Sequence, residues 1–254
     1  MKKRGFLFLT VFLCACVSST IKPENFAYKE ILTDTFTLYS YQKILTPNKP
    51  IKIYIEGDGF AFNHRGIATK DPTPRSYFLR NLAFSDNNQN VVYLARPCQY
   101  ILNKNPICSK RHWTTARFAP EVVRSMSDAV KQIAGQNEVI LIGFSGGAQI
   151  AGLIGALNPD IKVKKIITIA GNLDHLTWTQ HHNLPSLTES MSLEDYRSIF
   201  IELPQIHYVG TKDNNTTPEI TKNFIKNEKL IVEVDGASHN KGWEKIYPAV
   251  ISEN

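Results

Sequence analysis

Three side chains in this sequence have the types and the order that acyl-transfer chemistry requires. Ser145 stands in Gly143-Phe144-Ser145-Gly146-Gly147, between an apolar run and a helical pattern. Asp213 lies in the polar turn of IHYVGTKDNNTTPE, and His239 in the glycine-containing loop of LIVEVDGASHNKGW, each just past a strand-like segment. A serine hydroxyl is a poor nucleophile near neutral pH; it needs a base to take its proton and an acid to orient that base. The pattern G-x-S-x-G, with a strand before it and a helix after, presents such a serine on a strained turn. Ser145 therefore reads as nucleophile, His239 as proton-transfer group and Asp213 as orienting acid. The tetrahedral intermediate also needs two N–H donors. Gly146 supplies one, and its missing side chain is expected to leave room for substrate. Asp58 N–H, in the glycine-rich turn Glu56-Gly57-Asp58-Gly59, is expected to be the second.

Competing residues are present. Asp174 also follows a strand-like segment and is the alternative acid. His175, His181 and His182 cluster beside it, but their spacing does not match H-E-x-x-H and no acidic residue lies among them. No metal is expected there. The segment reads instead as a short lid, with Trp178 and Leu184 offering apolar surface to the site.

These residues need a scaffold that carries them at strand ends. Val139, Ile140, Leu141 and Ile142 form a continuous apolar run, as in a strand buried on both faces. Strand-like segments cover 36–41, 51–55, 91–95, 139–142, 165–169, 206–209 and 230–234. Helical spacing fits 75–84, 120–134, 148–157, 218–225 and 241–251, the third stopping at Asn158-Pro159. The alternation predicts a largely parallel sheet with helices on both faces. Two long irregular stretches, 57–74 and 171–204, each follow a strand end, where open α/β sheets place their sites. The G-x-G-x-x-G spacing of nucleotide binding follows neither strand.

The first residues, Met1-Lys2-Lys3-Arg4 and then GFLFLTVFLCAC, describe a signal peptide and are too short to span a bilayer. Leu13-Cys14-Ala15-Cys16 resembles a bacterial lipobox, with Cys16 as the lipidated residue; an ordinary cleaved signal is the other reading. Residues 1–15 are then leader, and 16–254 form one domain with its lid over about 171–204. Loss of Lys2, Lys3 and Arg4 would take three from a formal charge of +6. The basicity is thus partly a targeting signal, and no basic stripe with interleaved aromatics points to nucleic acid. Cys98 and Cys108 would be the remaining cysteines, and in an exported chain they are expected to form a disulfide.

The stretches YIEGDG, YLARPCQY, GFSGG, AGNLDH, YVGTKD and ASHNKGW resemble the α/β-hydrolase superfamily, and more narrowly small bacterial α/β-hydrolase lipoproteins. The chain order Ser145, Asp213, His239 is the superfamily's order. Where the superfamily usually has His-Gly, this chain has Glu56-Gly57. The resemblance implies a single α/β-hydrolase domain with an eight-stranded, mostly parallel sheet, and hydrolysis through an acyl-enzyme without cofactor. It does not name a substrate. The function expected is a serine hydrolase acting on an ester or related acyl bond of a small or lipid-like substrate. Its place would be the bacterial cell envelope, facing the periplasm or exterior, on a lipid anchor. The alternative from another class is a non-catalytic protein of the same fold that binds an acyl ligand or an envelope partner.

Overall fold

A computed structural model describes residues 25–253; the leader and Cys16 lie outside the described residues. In chain order the elements are β1 (Ala27–Leu32), β2 (Thr37–Ile44), β3 (Ile51–Ile55), α1 (Phe78–Ser85), β4 (Asn90–Leu94), α2 (Pro120–Ala134), β5 (Val139–Phe144) and α3 (Gly146–Leu157). They continue with β6 (Val163–Ile169), α4 (His175–His181), α5 (Arg197–Phe200), β7 (Gln205–Gly210), α6 (Pro218–Ile225), β8 (Ile231–Val234) and α7 (Tyr247–Ser252).

The eight strands form one sheet in the order β1-β2-β4-β3-β5-β6-β7-β8. Pairings from β4 through β8 are parallel, while β1 with β2 and β2 with β4 are antiparallel. Alternate side chains of β5 feed two cores. Val139 and Leu141 pack with α2 and α3, and Ile140 and Ile142 pack with α1 and α7. Both faces being dry explains why β5 is apolar without alternation. An eight-stranded, mostly parallel sheet with helices on both faces is what the resemblance to α/β-hydrolases implied.

Differences from the expected elements have local causes. The sequence pattern does not mark β1, whose Tyr28, Lys29 and Leu32 are exposed and which, among the described residues, pairs along one side. The helix expected over 75–84 begins at Phe78, after the Pro72 and Pro74 stretch. The one expected over 241–251 is a 3-10 turn at Glu244–Ile246 followed by α7, with Pro248 in the first turn of that helix. The stretch 171–204 is not structureless; it holds α4, a 3-10 turn at Leu193–Tyr196 and α5. The stretch 57–74 does lack helices and strands, apart from an isolated bridge between Phe62 and Ala68.

Candidate active site

β5 ends at the elbow. Ser145 adopts φ 50°, ψ −123°, a region that non-glycine residues avoid and that persists only where the surroundings enforce it. Here they do: Ser145 N–H donates to Ile169 O at 3.1 Å, and Ser145 O accepts from Ala148 N–H and Asn172 N–H, each at 3.0 Å. Glycine is required on both sides of the turn. A Cβ on Gly143 would overlap the backbone of Gly147 and Ala148, and one on Gly147 would overlap the carbonyls of Ile55 and Glu56.

Asp213 follows β7 and His239 follows β8, and the sheet brings both to Ser145. Asp213 Oδ2 lies 2.9 Å from His239 Nδ1, and His239 Nε2 lies 3.0 Å from Ser145 Oγ. A carboxylate only accepts, so Nδ1–H donates to Asp213 and Nε2 is left to accept from the serine hydroxyl. Asp213 is buried, and its other oxygen accepts Asn215 N–H at 2.8 Å and Thr216 N–H at 3.0 Å, which fixes the carboxylate's orientation. Asp174, the alternative acid, is employed elsewhere. It caps α4, accepting from Leu176 N–H, Thr177 N–H and the Thr177 hydroxyl.

The expected oxyanion donors sit beside the serine. A Cβ on Gly57 would come 3.2 Å from Ser145 Cβ, so the turn after β3 runs directly against the elbow. Neither Asp58 N–H nor Gly146 N–H donates to a backbone acceptor among the described residues. One expectation fails. The space over Gly146 Cα is not left for substrate, because a Cβ there would overlap the Asp58 carboxylate. That carboxylate is clamped by two guanidiniums, Arg117 Nη1 at 2.8 Å and Arg96 Nη1 at 3.3 Å. Burial pushes its pKa up, but the two arginines outweigh burial and hold it below the ordinary value. Arg96 also donates to Arg117 O.

Glu56, the departure from His-Gly, is buried. Its Oε1 accepts Gly57 N–H at 2.8 Å and its Oε2 accepts the Tyr93 hydroxyl at 2.6 Å. Burial raises its pKa, partly offset by those two donors and by nearby Arg80 and Arg96. The side chain occupies Gly57 N–H and leaves the next donor, Asp58 N–H, for the cleft. Gln99 ties the same turn from outside, donating from Nε2 to Gly57 O at 2.9 Å. Gln99 belongs to the loop closed by a disulfide between Cys98 and Cys108, whose Cα atoms are 5.8 Å apart.

Ser145, His239 and Asp58 open into a cleft of about 320 Å³, at the small end for ligand sites. Trp178 of α4 lines it, and its indole N–H donates to Asn215 O at 2.9 Å; Leu184 does not line it and stays exposed. His175, His181 and His182 do not converge. His175 is buried against Phe118, while His182 Nε2 lies 2.7 Å from Asn215 O. Among the described residues no group of three or more His, Cys, Asp or Glu side chains is placed to hold a metal ion. The sequence reading missed Arg117 and the carboxylate of Asp58. Arg96 lies within YLARPCQY, but nothing in its spacing marks its partner.

No family model and no curated protein sequence matches the chain. Solved structures do. The chain is similar to Est1E from Butyrivibrio proteoclasticus with ferulic acid bound, at a TM-score of 0.63 and 16% identity, over 88% of this chain and 96% of that one. An esterase from Pyrococcus furiosus gives 0.60 and 15%, over 93% and 92%. A thioesterase domain from the curacin biosynthetic pathway gives 0.55 and 12%, over 89% and 98%. The fold is the α/β-hydrolase fold.

Proposed function

We propose that this protein is a serine hydrolase that cleaves an ester or related acyl bond through an acyl-enzyme. The observation that carries the reading is the continuous chain Asp213–His239–Ser145, at 2.9 Å and 3.0 Å, ending on a strained serine in a cleft. Ser145 Oγ attacks the acyl carbon while His239 Nε2 takes its proton. The oxyanion is held by Asp58 N–H and Gly146 N–H. His239 then returns the proton to the leaving group, and the bond from the acyl carbon to that group breaks. Water repeats the cycle on the acyl-enzyme and releases the acid. Asp213 holds the imidazole and stabilises its cation throughout. Esterases and a thioesterase among proteins of the same fold support this chemical class. The basic, apolar start and Cys16 support attachment to the cell envelope through lipid.

Reaction with a fluorophosphonate probe tests the reading. Wild-type protein should be labelled on Ser145, and Ser145→Ala should lose labelling and about 10⁶ in turnover with its fold intact. Folded wild-type protein that takes no label would instead be a binding module. For the anchor, a fatty-acid analogue should mark wild type and not Cys16→Ser; equal marking of both rejects it.

A further inference from the structure

Arg75 stands at the mouth of the Ser145 cleft with its guanidinium over the Phe60 ring, 3.5 Å from the centroid. It is exposed, and no acidic partner faces it among the described residues. Four other arginines have visible structural duties. Arg96 and Arg117 share Asp58, Arg111 bridges Glu121 and Glu189, and Arg197 donates to Phe224 O. Arg75 has an aromatic ring beneath it and nothing opposite. Stacking on a ring holds the guanidinium in place without using its hydrogen-bonding edge. A ligand anion meeting it would find a donor fork already oriented, which lowers the entropy cost of binding.

The rest of the lining agrees. Two carboxylates face this cleft, and both are occupied: Glu56 by Tyr93 and Gly57 N–H, Asp58 by two guanidiniums. The walls also carry the uncharged polar groups of Asn172, Asn215 and Asn240. A cleft built only for a long alkyl chain has no use for these amides or for a free cation. We propose that the substrate is an acyl compound bearing a carboxylate or phosphate away from the scissile bond, and that Arg75 binds this anion. The inference rests on the hydrolase reading of Ser145 and names its substrate class.

Two p-nitrophenyl esters of equal chain length test it: the hexanoate, which is neutral, and the hemiadipate, which ends in a carboxylate. Wild type should favour the hemiadipate about tenfold in kcat/KM, mainly through KM, and added salt should shrink the preference. Arg75→Gln should bring the ratio to about one, and Arg75→Lys should retain part of it. A wild-type ratio at or below one, or a ratio unchanged in Arg75→Gln, overturns the proposal. Phosphatidylglycerol vesicles distinguish the anion's source. A rate on vesicles that falls in Arg75→Gln assigns a lipid phosphate, and a response confined to the hemiadipate assigns a soluble acid. Calorimetric binding of both esters to Ser145→Ala reads the charge preference without turnover. If that variant binds them equally while wild type hydrolyses the hexanoate, this inference fails and the hydrolase reading stands. If neither ester is turned over but the anion is still preferred in binding, the hydrolase reading fails and the anion site stands.

Discussion

Two aspartates, Asp86 buried and Asp58 half-buried, occupy opposite edges of the sheet and are treated differently by their surroundings. Asp86, at the edge where the parallel strands begin, accepts the Tyr54 hydroxyl at 2.7 Å and Asn88 N–H at 2.8 Å, and pairs with Lys52 Nζ 3.4 Å away. Lys52 also reaches Val250 O and Ile251 O, so the cluster ties β3 to α7. Asp58, at the edge where those strands end, faces two guanidiniums with one carboxylate. Beside it, Arg96 Nε has no hydrogen-bond partner and Asp58 N–H donates to no backbone acceptor among the described residues. The first cluster, with Lys43 Nζ also donating to Asp86 O at 2.7 Å, leaves no buried side-chain nitrogen or oxygen of Lys43, Lys52, Tyr54 or Asp86 without a partner and anchors α7. The second leaves donors unpaired. An edge that supports the fold satisfies its polar groups internally, whereas an edge suited to chemistry leaves some for a ligand.

The largest effect that would sharpen this contrast is at Asp213. Asp213→Asn should lower turnover about 10⁴-fold with little change in unfolding, because the imidazole loses its orienting anion. Asp174→Asn should keep most activity. A reversed result in steady-state assays would move the acid to α4. Asp86→Ala should show the opposite signature, a loss of about 3–5 kcal/mol in urea unfolding, since it leaves the buried Lys52 ammonium without its counter-charge. Turnover per folded molecule should hold. If Asp86→Ala instead cut turnover in stable protein, the two edges would not be separable.

Replacing both Cys98 and Cys108 by serine should cost about 2–3 kcal/mol by lengthening the accessible unfolded chain. It should also lower kcat, because Gln99 in that loop holds Gly57. A stability loss without any kinetic effect would confine the disulfide to the fold. The smallest effect belongs to neither edge. Buried His207, bonded to Thr168 and Gln205, has its pKa pushed down to about 3 by burial. Its folded value is below the unfolded one near 6.5, so the unfolded chain takes up the proton first. Stability is therefore full above pH 6.5 and falls as pH drops towards 3, by about 2 kcal/mol at pH 5 from this group. His207→Gln should flatten that part of the stability–pH curve; an unchanged slope would assign it to other groups.

Ser145, Asp213 and His239 were legible in the sequence because each has a distinctive neighbourhood at a strand end, and their order is itself a signal. β3, α2 and α6 match the expected bounds because apolar periodicity and first-turn prolines or flanking turns mark them. β1 was not legible, since an edge strand with exposed side chains lacks the buried face that produces a pattern. The arginine clamp on Asp58 was equally invisible. Asp58 and Arg117 are 59 positions apart, and a pairing between loops leaves no periodic trace in either. Glu56 was recognised as a departure, but its role needed Tyr93 on the neighbouring strand.

The overlap between Gly146 and the Asp58 carboxylate makes these two positions interdependent in stability as well as in space. Any side chain at 146 displaces the anion that Arg96 and Arg117 share, leaving two crowded like charges beside the elbow. Loss of the anion at 58 strands the same pair, although it opens the space over Gly146 Cα. Changes at 146 and at 58 should therefore not add in stability, because each removes the same two ion pairs.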